Sequence, residues 1–143
     1  MTAIQRLDNV TERQRAAIVA PLGAHAAAQN LPWNPQYVAL ALEDAGGIRG
    51  GLMGFIQWDW LYVEILAVEE NLRGQGWGRR LMHEAERIAA DAGCRGVWLS
   101  TFTFQAPAFY EGLGYRRCGE IEDYPAGHSR LFYMKHVVLP GQS

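Results

Sequence analysis

The sequence has no apolar run near the ~20 residues that a membrane-spanning helix needs, and its first residues lack a basic segment followed by an apolar core. We therefore expect a soluble, cytoplasmic protein with no membrane partner. The chain also lacks an excess of either charge, because it has 13 Lys and Arg and 15 Asp and Glu, for a formal net charge of -2. No basic tract is dense enough to hold a phosphate backbone, so a nucleic-acid partner is not expected.

Cysteine is rare too, since the chain has only Cys94 and Cys118. They form no CxxC pair and have no histidine at metal-ligand spacing. His25, His83 and His136 fall on predicted helices or a predicted strand without ligand partners. We expect reduced thiols and no metal cofactor.

The 143 residues, 49% of them hydrophobic, supply the core of a single domain spanning residues 1–143. Strand patterns cover residues 2–8, 37–43, 48–57, 60–68, 96–102, 115–121 and 130–138. A helical pattern begins at Thr11, and Pro21 should break or restart that helix before a second helical stretch that runs to about Gln29. Two further helical patterns cover residues 76–92 and 106–113. Residues 60–102 therefore predict a strand–helix–strand crossover with two parallel strands.

The junction between the strand 60–68 and the helix 76–92 carries the most informative pattern. Gly74, Gly76 and Gly78 remove side chains that would shield backbone N–H groups, and the helix N-terminus adds partial positive charge. Arginines at 73, 79 and 80 flank these glycines. The sequence therefore predicts an anion site at this junction.

Two common phosphate-binding patterns are excluded at this junction. The chain contains no Gly-x-x-x-x-Gly-Lys-Ser/Thr, so a P-loop is not present. A dinucleotide fingerprint fails because Arg79 stands where the third glycine belongs, and no acidic residue ends a following strand about 20 residues later. What remains is Arg73-x-x-Gly76-x-Gly78 after a strand.

This pattern resembles the pyrophosphate loop of the GNAT superfamily of acyl-CoA-dependent N-acyltransferases. Two further segments match the family in order: the strand ending at Leu66-Ala67-Val68, and a helix that supplies Tyr110 just before a Leu-Gly-Tyr corner. The resemblance covers roughly residues 48–138. The stretches 101–107 and 123–130 also resemble a subgroup of small bacterial single-domain GNAT proteins.

The resemblance implies an α/β (α+β) GNAT fold, with a mixed sheet of about seven strands, a splayed parallel pair and about four helices. It also implies acetyl-CoA as co-substrate, with transfer of its acetyl group to a primary amine, and a possible homodimer. The implied coenzyme A contacts are Leu66, Ala67, Val68, Arg73, Gly74, Gln75, Gly76, Trp77, Gly78, Arg79, Thr103, Gln105 and Tyr110. Thr103 departs from the family pattern, since many members carry Asn seven residues before the tyrosine.

A thioester is attacked directly by a positioned neutral amine, so the protein needs a proton acceptor and a proton donor but no covalent intermediate. Tyr110 is the candidate acid, because a phenol stays protonated at neutral pH; it could instead pack in the core or only hold the cofactor sulfur. Glu64 and His128 are alternative bases, and a solvent-relayed proton with no dedicated residue is the third possibility.

Aromatic residues supply the candidate acceptor groove, together with Glu64. They are Trp33, Trp60, Tyr62, Phe104 and Tyr124. The acceptor is expected to be a small-molecule or peptide amine. A GNAT fold that binds coenzyme A without turnover is the alternative function, and a longer acyl group is the alternative donor.

Overall fold

The computed structural model describes residues 1–138, and the chain divides into two compact units, residues 1–34 and a second unit that begins at Pro35. The first unit contains one helix, α1 (Glu12–Ala28). Thr11 begins it with a reciprocal cap: its Oγ1 accepts from the Gln14 N–H at 3.1 Å, and Gln14 Oε1 accepts from the Thr11 N–H at 2.9 Å.

Two expectations for this first unit are wrong. Pro21 lies inside α1 and does not divide it, because the proline removes one backbone donor while the capped, Ala-rich remainder keeps its own hydrogen bonds. Residues 2–8 form no strand. A short alternating run becomes a strand only where a partner strand pairs with it, and local preference alone is too weak.

The second unit is a mixed sheet with two helices. Its strands are β1 (Gln36–Asp44), β2 (Gly47–Gln57), β3 (Trp60–Val68), β4 (Gly96–Phe102), β5 (Arg116–Glu122) and β6 (Ser129–His136). Its helices are α2 (Trp77–Asp91) and α3 (Pro107–Gly112), and a short 3-10 turn covers Glu70–Leu72. The strand order is β1-β2-β3-β4-β6-β5, and only β3 and β4 run parallel.

Residues 1–138 thus contain six strands and three helices, where the sequence suggested about seven and four. The class is confirmed: a mixed α/β sheet with one parallel pair. The predicted crossover is also confirmed, because β3, α2 and β4 follow each other between residues 60 and 102.

The hydrophobic core lies between α2 and one face of the sheet. Leu81, Met82, Ala85 and Ala89 of α2 are buried. They belong to one cluster with buried strand residues, namely Val38, Leu52, Leu61, Val63, Val97, Leu99, Leu131 and Tyr133. Burial of such aliphatic and aromatic side chains fixes α2 on the sheet, and with it the loop from which α2 starts.

No helix within residues 1–138 is both long and apolar enough to cross a membrane. Across the same residues, no group of three or more His, Cys, Asp or Glu side chains is arranged to hold a metal ion.

Candidate active site

The parallel strands β3 and β4 pair only at their beginnings. The last residues that pair are Tyr62 of β3 and Trp98 of β4. The cause lies on the other edge of β3, where Met53 of β2 pairs with Ile65 and the next residue pairs with Val63, so that Glu64 has no opposite partner. Such a bulge bends its strand and increases the local twist. Beyond Tyr62, β3 therefore diverges from β4.

The divergence opens a cleft of about 680 Å³ between the two strands. Its walls come from β3, from β4 and from the segment that leads into α3. They are Val63, Glu64, Ile65, Leu66, Ala67, Val68, Arg73, Leu99, Ser100, Thr101, Phe104, Gln105, Ala106 and Tyr110. Because no strand pairs with this edge of β3 past Tyr62 in the described chain, its backbone N–H and C=O groups are available to a ligand.

A second cavity of about 510 Å³ lies at the start of α2. Gly74 and Gly76 adopt left-handed backbone angles there, with φ of 75° and 87°, and Gly76 is the N-cap of α2. No side chain caps this helix end, so its first N–H groups stay open. The geometry is that of an anion site at a helix N-terminus.

Packing explains the third glycine of the loop. A Cβ atom at Gly78 would lie 3.3 Å from Cζ of Phe109, so the absence of a side chain lets α3 approach the first turn of α2. Arg73 is tied to the end of β3, since its Nε donates to the Val68 carbonyl at 3.0 Å. The loop is thereby held against the strand that forms the cleft wall.

The remaining predicted loop residues surround this cavity or support it. Gln75 donates from Nε2 to the Asn71 carbonyl at 3.2 Å, within the loop. Trp77 and Arg79 line the cavity, and the Arg80 guanidinium lies 4.4 Å from the Trp77 ring centroid. Cationic groups thus stand at the rim of the open helix end.

Tyr110 of α3 lines both cavities. Its side chain is 8% exposed and packs edge-on against Phe109 and Tyr115, with ring centroids 5.0 and 6.0 Å away. Within residues 1–138 its hydroxyl makes no side-chain hydrogen bond. Burial raises the pKa of the phenol above its ordinary value, so the group is protonated and can donate.

Glu64 lines the cleft as the unpaired residue of the bulge, and its side chain is exposed. Gln105 also lines the cleft, where its Oε1 accepts from the Phe102 N–H at 3.1 Å and from Thr101 Oγ1 at 3.3 Å. The Gln105 carbonyl oxygen therefore caps the end of β4, while its amide N–H groups remain for other partners.

Thr103 and His128 lie together on the loops beyond β4. Thr103 Oγ1 accepts from the Ser129 N–H at 3.1 Å and lies 3.3 Å from His128 Nδ1. Neither residue is among those that line the cleft. The structure thus separates the two base candidates: Glu64 is in the cleft wall, and His128 packs edge-on against Phe104, 5.0 Å between centroids.

The four aromatic residues of the second unit that were suggested for acceptor binding lie at different places along the sheet. Phe104 lines the cleft, and Tyr124 stacks beside it on Phe102 with centroids 5.4 Å apart. Tyr62 stacks on Trp98 at 4.2 Å, where the strands are still paired.

Trp60 and Trp33 complete the set of aromatic candidates. Trp60 pairs with Gly96 at the beginning of β3 and packs against His136, which places it at the opposite end from the cleft opening. Trp33 belongs to the first unit.

Sequence reasoning missed two residues on the β4 side of the cleft. Ser100 lines the cleft, and Arg130 of β6 donates from Nε to Ser100 Oγ at 2.9 Å. The alternation of β4 was the available signal for Ser100, because a polar residue two positions from Phe102 shares its face. Arg130 had no local signal for its place beside the cleft, since its hydrogen-bond partner Ser100 lies on another strand.

Comparison with known proteins agrees with this geometry. The acetyltransferase (GNAT) family profile matches residues 7–115. A blasticidin-S acetyltransferase of Streptomyces morookaense is 41% identical over 102 residues, which are 71% of this chain and 75% of that relative.

Solved structures agree with the profile match. An acetyltransferase from Bacillus cereus superposes with a TM-score of 0.81 at 34% identity, over 93% of this chain and 98% of the other. A structure from Agrobacterium tumefaciens gives a TM-score of 0.87 at 28% identity, over 94% and 99%. The chain therefore belongs to the GNAT family of N-acetyltransferases, enzymes that use acetyl-CoA.

Proposed function

We propose that this enzyme transfers the acetyl group of acetyl-CoA to a primary amine of a small molecule, by direct attack while both substrates are bound. One observation carries the proposal: Tyr110 lines both the open helix end at residues 73–79 and the cleft between β3 and β4. The proton donor Tyr110 therefore lies between the anion site and the cleft in which the acyl group would be transferred.

The residues present fit coenzyme A. The open N–H groups at Gly76 and the start of α2 suit a pyrophosphate, with Arg73 and Arg79 nearby. The edge of β3 at residues 66–68, which β4 does not pair with, offers backbone hydrogen-bonding groups to an amide-bearing arm, although the Val68 carbonyl already accepts from Arg73. When bound, acetyl-CoA supplies an activated thioester.

The chain's own groups handle the protons. Glu64 accepts a proton from the attacking amine, directly or through a water, as the nitrogen–carbon bond forms. The carbon–sulfur bond breaks, and Tyr110 donates its proton to the departing thiolate. The raised pKa of Tyr110 keeps that proton in place until the thiolate forms. Glu64 also provides a negative charge that attracts the ammonium form of the acceptor.

Support for a small-molecule acceptor comes from the relative that is 41% identical and named for acetylation of blasticidin S. The exposed Glu64 and the ring of Phe104 at the cleft suit a cation with an apolar body. Acetyl remains the proposed acyl group.

The test is the release of coenzyme A thiol from acetyl-CoA over a panel of blasticidin S, amino acids, polyamines, aminoglycosides and lysine peptides. We expect turnover with at least one small amine. Tyr110→Phe should lower kcat on the order of 100-fold, because the thiolate then leaves without a proton. Tyr37→Phe, at an exposed position of β1, is the matched control and should change kcat by about twofold at most.

A measurement of acetyl-CoA binding shows which part of the proposal has failed if no amine is acetylated. Acetyl-CoA binding without turnover of any amine would favour a coenzyme A-binding module over an enzyme with this acceptor class. No acetyl-CoA binding would refute the proposed site altogether. Equal losses of kcat in Tyr110→Phe and Tyr37→Phe would remove Tyr110 from the mechanism.

A further inference from the structure

Arg130 occupies an aromatic pocket directly beside the cleft. It pairs across the sheet with Phe102 of β4 and is half-buried. Its guanidinium carbon lies 5.8, 5.7 and 5.3 Å from the ring centroids of Phe102, Tyr124 and Phe132. These rings stabilise the cation and cover part of its surface.

No ion pair neutralises the charge of Arg130 within the part of the chain that the structure describes. Among residues 1–138, no carboxylate oxygen lies within 4.0 Å of an Arg130 nitrogen. By contrast, Arg49, Arg87 and Lys135 each pair with a carboxylate. A half-buried arginine that has no ion pair and stands beside a cleft is available to bind an anion that enters the cleft.

Ser100 connects Arg130 to the cleft. Its side-chain oxygen accepts from Arg130 Nε at 2.9 Å, and the same residue lines the cleft. Phe104 also lines the cleft and stacks on Phe102, with centroids 5.4 Å apart. The cation therefore lies on the β4 side of the cleft, whereas the carboxylate of Glu64 lies on the β3 side.

We propose that the acceptor carries a carboxylate as well as its amine, and that Arg130 binds this carboxylate while the amine faces Glu64. The inference rests on the proposed function and names its substrate class. Of the five N–H donors of the guanidinium, only that on Nε has a hydrogen-bond partner among residues 1–138, so the planar fork of the others can meet two carboxylate oxygens. One unpaired cation matches a monoanion better than a phosphate monoester of charge about -1.5 to -2.

The experiment compares each carboxylate-bearing amine of the panel with its carboxamide. We expect the wild type to prefer the carboxylate on the order of ten- to hundredfold in kcat/KM, the range of a charge-assisted hydrogen-bond pair. Arg130→Gln should abolish the preference through a higher KM for the carboxylate only. Arg130→Lys should keep part of it, since the charge remains without the fork. Arg95→Gln, an exposed arginine before β4, is the control.

The ratio of kcat/KM for the carboxylate to kcat/KM for the carboxamide shows whether Arg130 recognises the substrate or only has a structural role. If Arg130→Gln slows the carboxylate and the carboxamide equally, Arg130 only supports the aromatic pocket and the inference is wrong. It is also wrong if the best acceptor lacks an anionic group, or if O-phosphoethanolamine is preferred over every carboxylate.

A second readout does not depend on catalysis. The Nε–H resonance of Arg130 is observed in the ¹⁵N-labelled enzyme and is assigned by its absence from the spectrum of Arg130→Lys. We expect this resonance to shift when the carboxylate-bearing amines are added, but not when their carboxamides are added. If no amine is acetylated, the proposed function fails while this titration still tests Arg130. The absence of any pair-specific shift would then overturn the carboxylate site.

Discussion

Glu64 and His128 are both able to accept a proton, and their surroundings differ. Glu64 has no strand partner, so the bulge presents its carboxylate at the cleft wall. His128 is held by Thr103 at 3.3 Å and by the ring of Phe104, outside the cleft lining. The geometry favours Glu64 as the group that contacts the amine.

Replacement of each candidate base gives a direct comparison. We expect Glu64→Gln to lower kcat on the order of 100-fold with an unchanged KM for acetyl-CoA, since the amide keeps the shape of the side chain but cannot take the proton. His128→Asn, the matched control, should change kcat by less than about threefold. Steady-state kinetics with the best acceptor decide. A larger loss in His128→Asn would exchange the roles, and small losses in both would favour a solvent-relayed proton.

At this scale the sequence revealed residues whose partners are local in the chain. Arg73, Gly76 and Gly78 could be found because a strand end and a helix start are adjacent in sequence. Arg130 could not, because its contact with Ser100 spans 30 residues and depends on the pairing of β4 with β6. The place of Trp60 also depends on strand pairing, because its pairing with Gly96 puts it at the beginning of β3.

Helix α2 starts and ends at glycines with left-handed backbone angles. Gly76 has φ of 87° at the N-cap and Gly93 has φ of 79° just past the C-cap, and an added Cβ would meet no atom within 4 Å at either position. The two sites therefore share the same conformational strain on substitution. Of these two glycines, only Gly76 lines the cavity at the start of α2.

This symmetry allows a controlled test of the anion site. Gly76→Ala and Gly93→Ala should each lower the free energy of unfolding by about 1–2 kcal/mol, because alanine is strained in the left-handed region. Gly76→Ala should also weaken acetyl-CoA binding roughly tenfold, equivalent to ~1.4 kcal/mol, as the strained loop moves its N–H groups. Calorimetric titration and denaturant unfolding measure both quantities. Equal Kd values for the two variants would show that the loop does not bind the cofactor.

The elements that sequence patterns predicted best are those that form the site. Strands β3 and β4 match their predicted bounds, and α2 differs by one residue at each end. These segments have strong periodicity and glycine punctuation. The failures, residues 2–8 and the break at Pro21, fall where local preference is weak or where a single proline is outweighed by its helix.

Within the second unit, a half-buried polar network ties α2 to the C-terminal strands. The Tyr115 hydroxyl donates to Glu86 Oε2 at 2.7 Å. Lys135 Nζ donates to Glu86 Oε1 at 3.0 Å and to the Leu113 carbonyl at 2.8 Å. Since Lys135 is the only lysine in the chain, the network depends on a single ammonium. It links α2, the end of α3 and β6 through half-buried groups.

Tyr115 makes the stability of the enzyme sensitive to alkaline pH. Burial, and then the charge of Glu86, raise the pKa of its phenol far above the ordinary value near 10, so the folded state keeps a proton that the unfolded chain releases. Its contribution is complete below pH 10 and is lost as the pH rises further, by about 1.4 kcal/mol per unit.

Denaturant unfolding from pH 7 to 11 measures this loss. Tyr115→Phe removes one hydrogen bond and should cost about 1–2 kcal/mol at pH 7, yet its stability should fall less steeply above pH 10 because the titrating phenol is gone. The two curves of unfolding free energy against pH should therefore converge. Parallel curves would mean that Tyr115 does not titrate differently in the folded and unfolded states. A change in slope below pH 9 would instead implicate other groups, since no phenol of ordinary pKa ionises there.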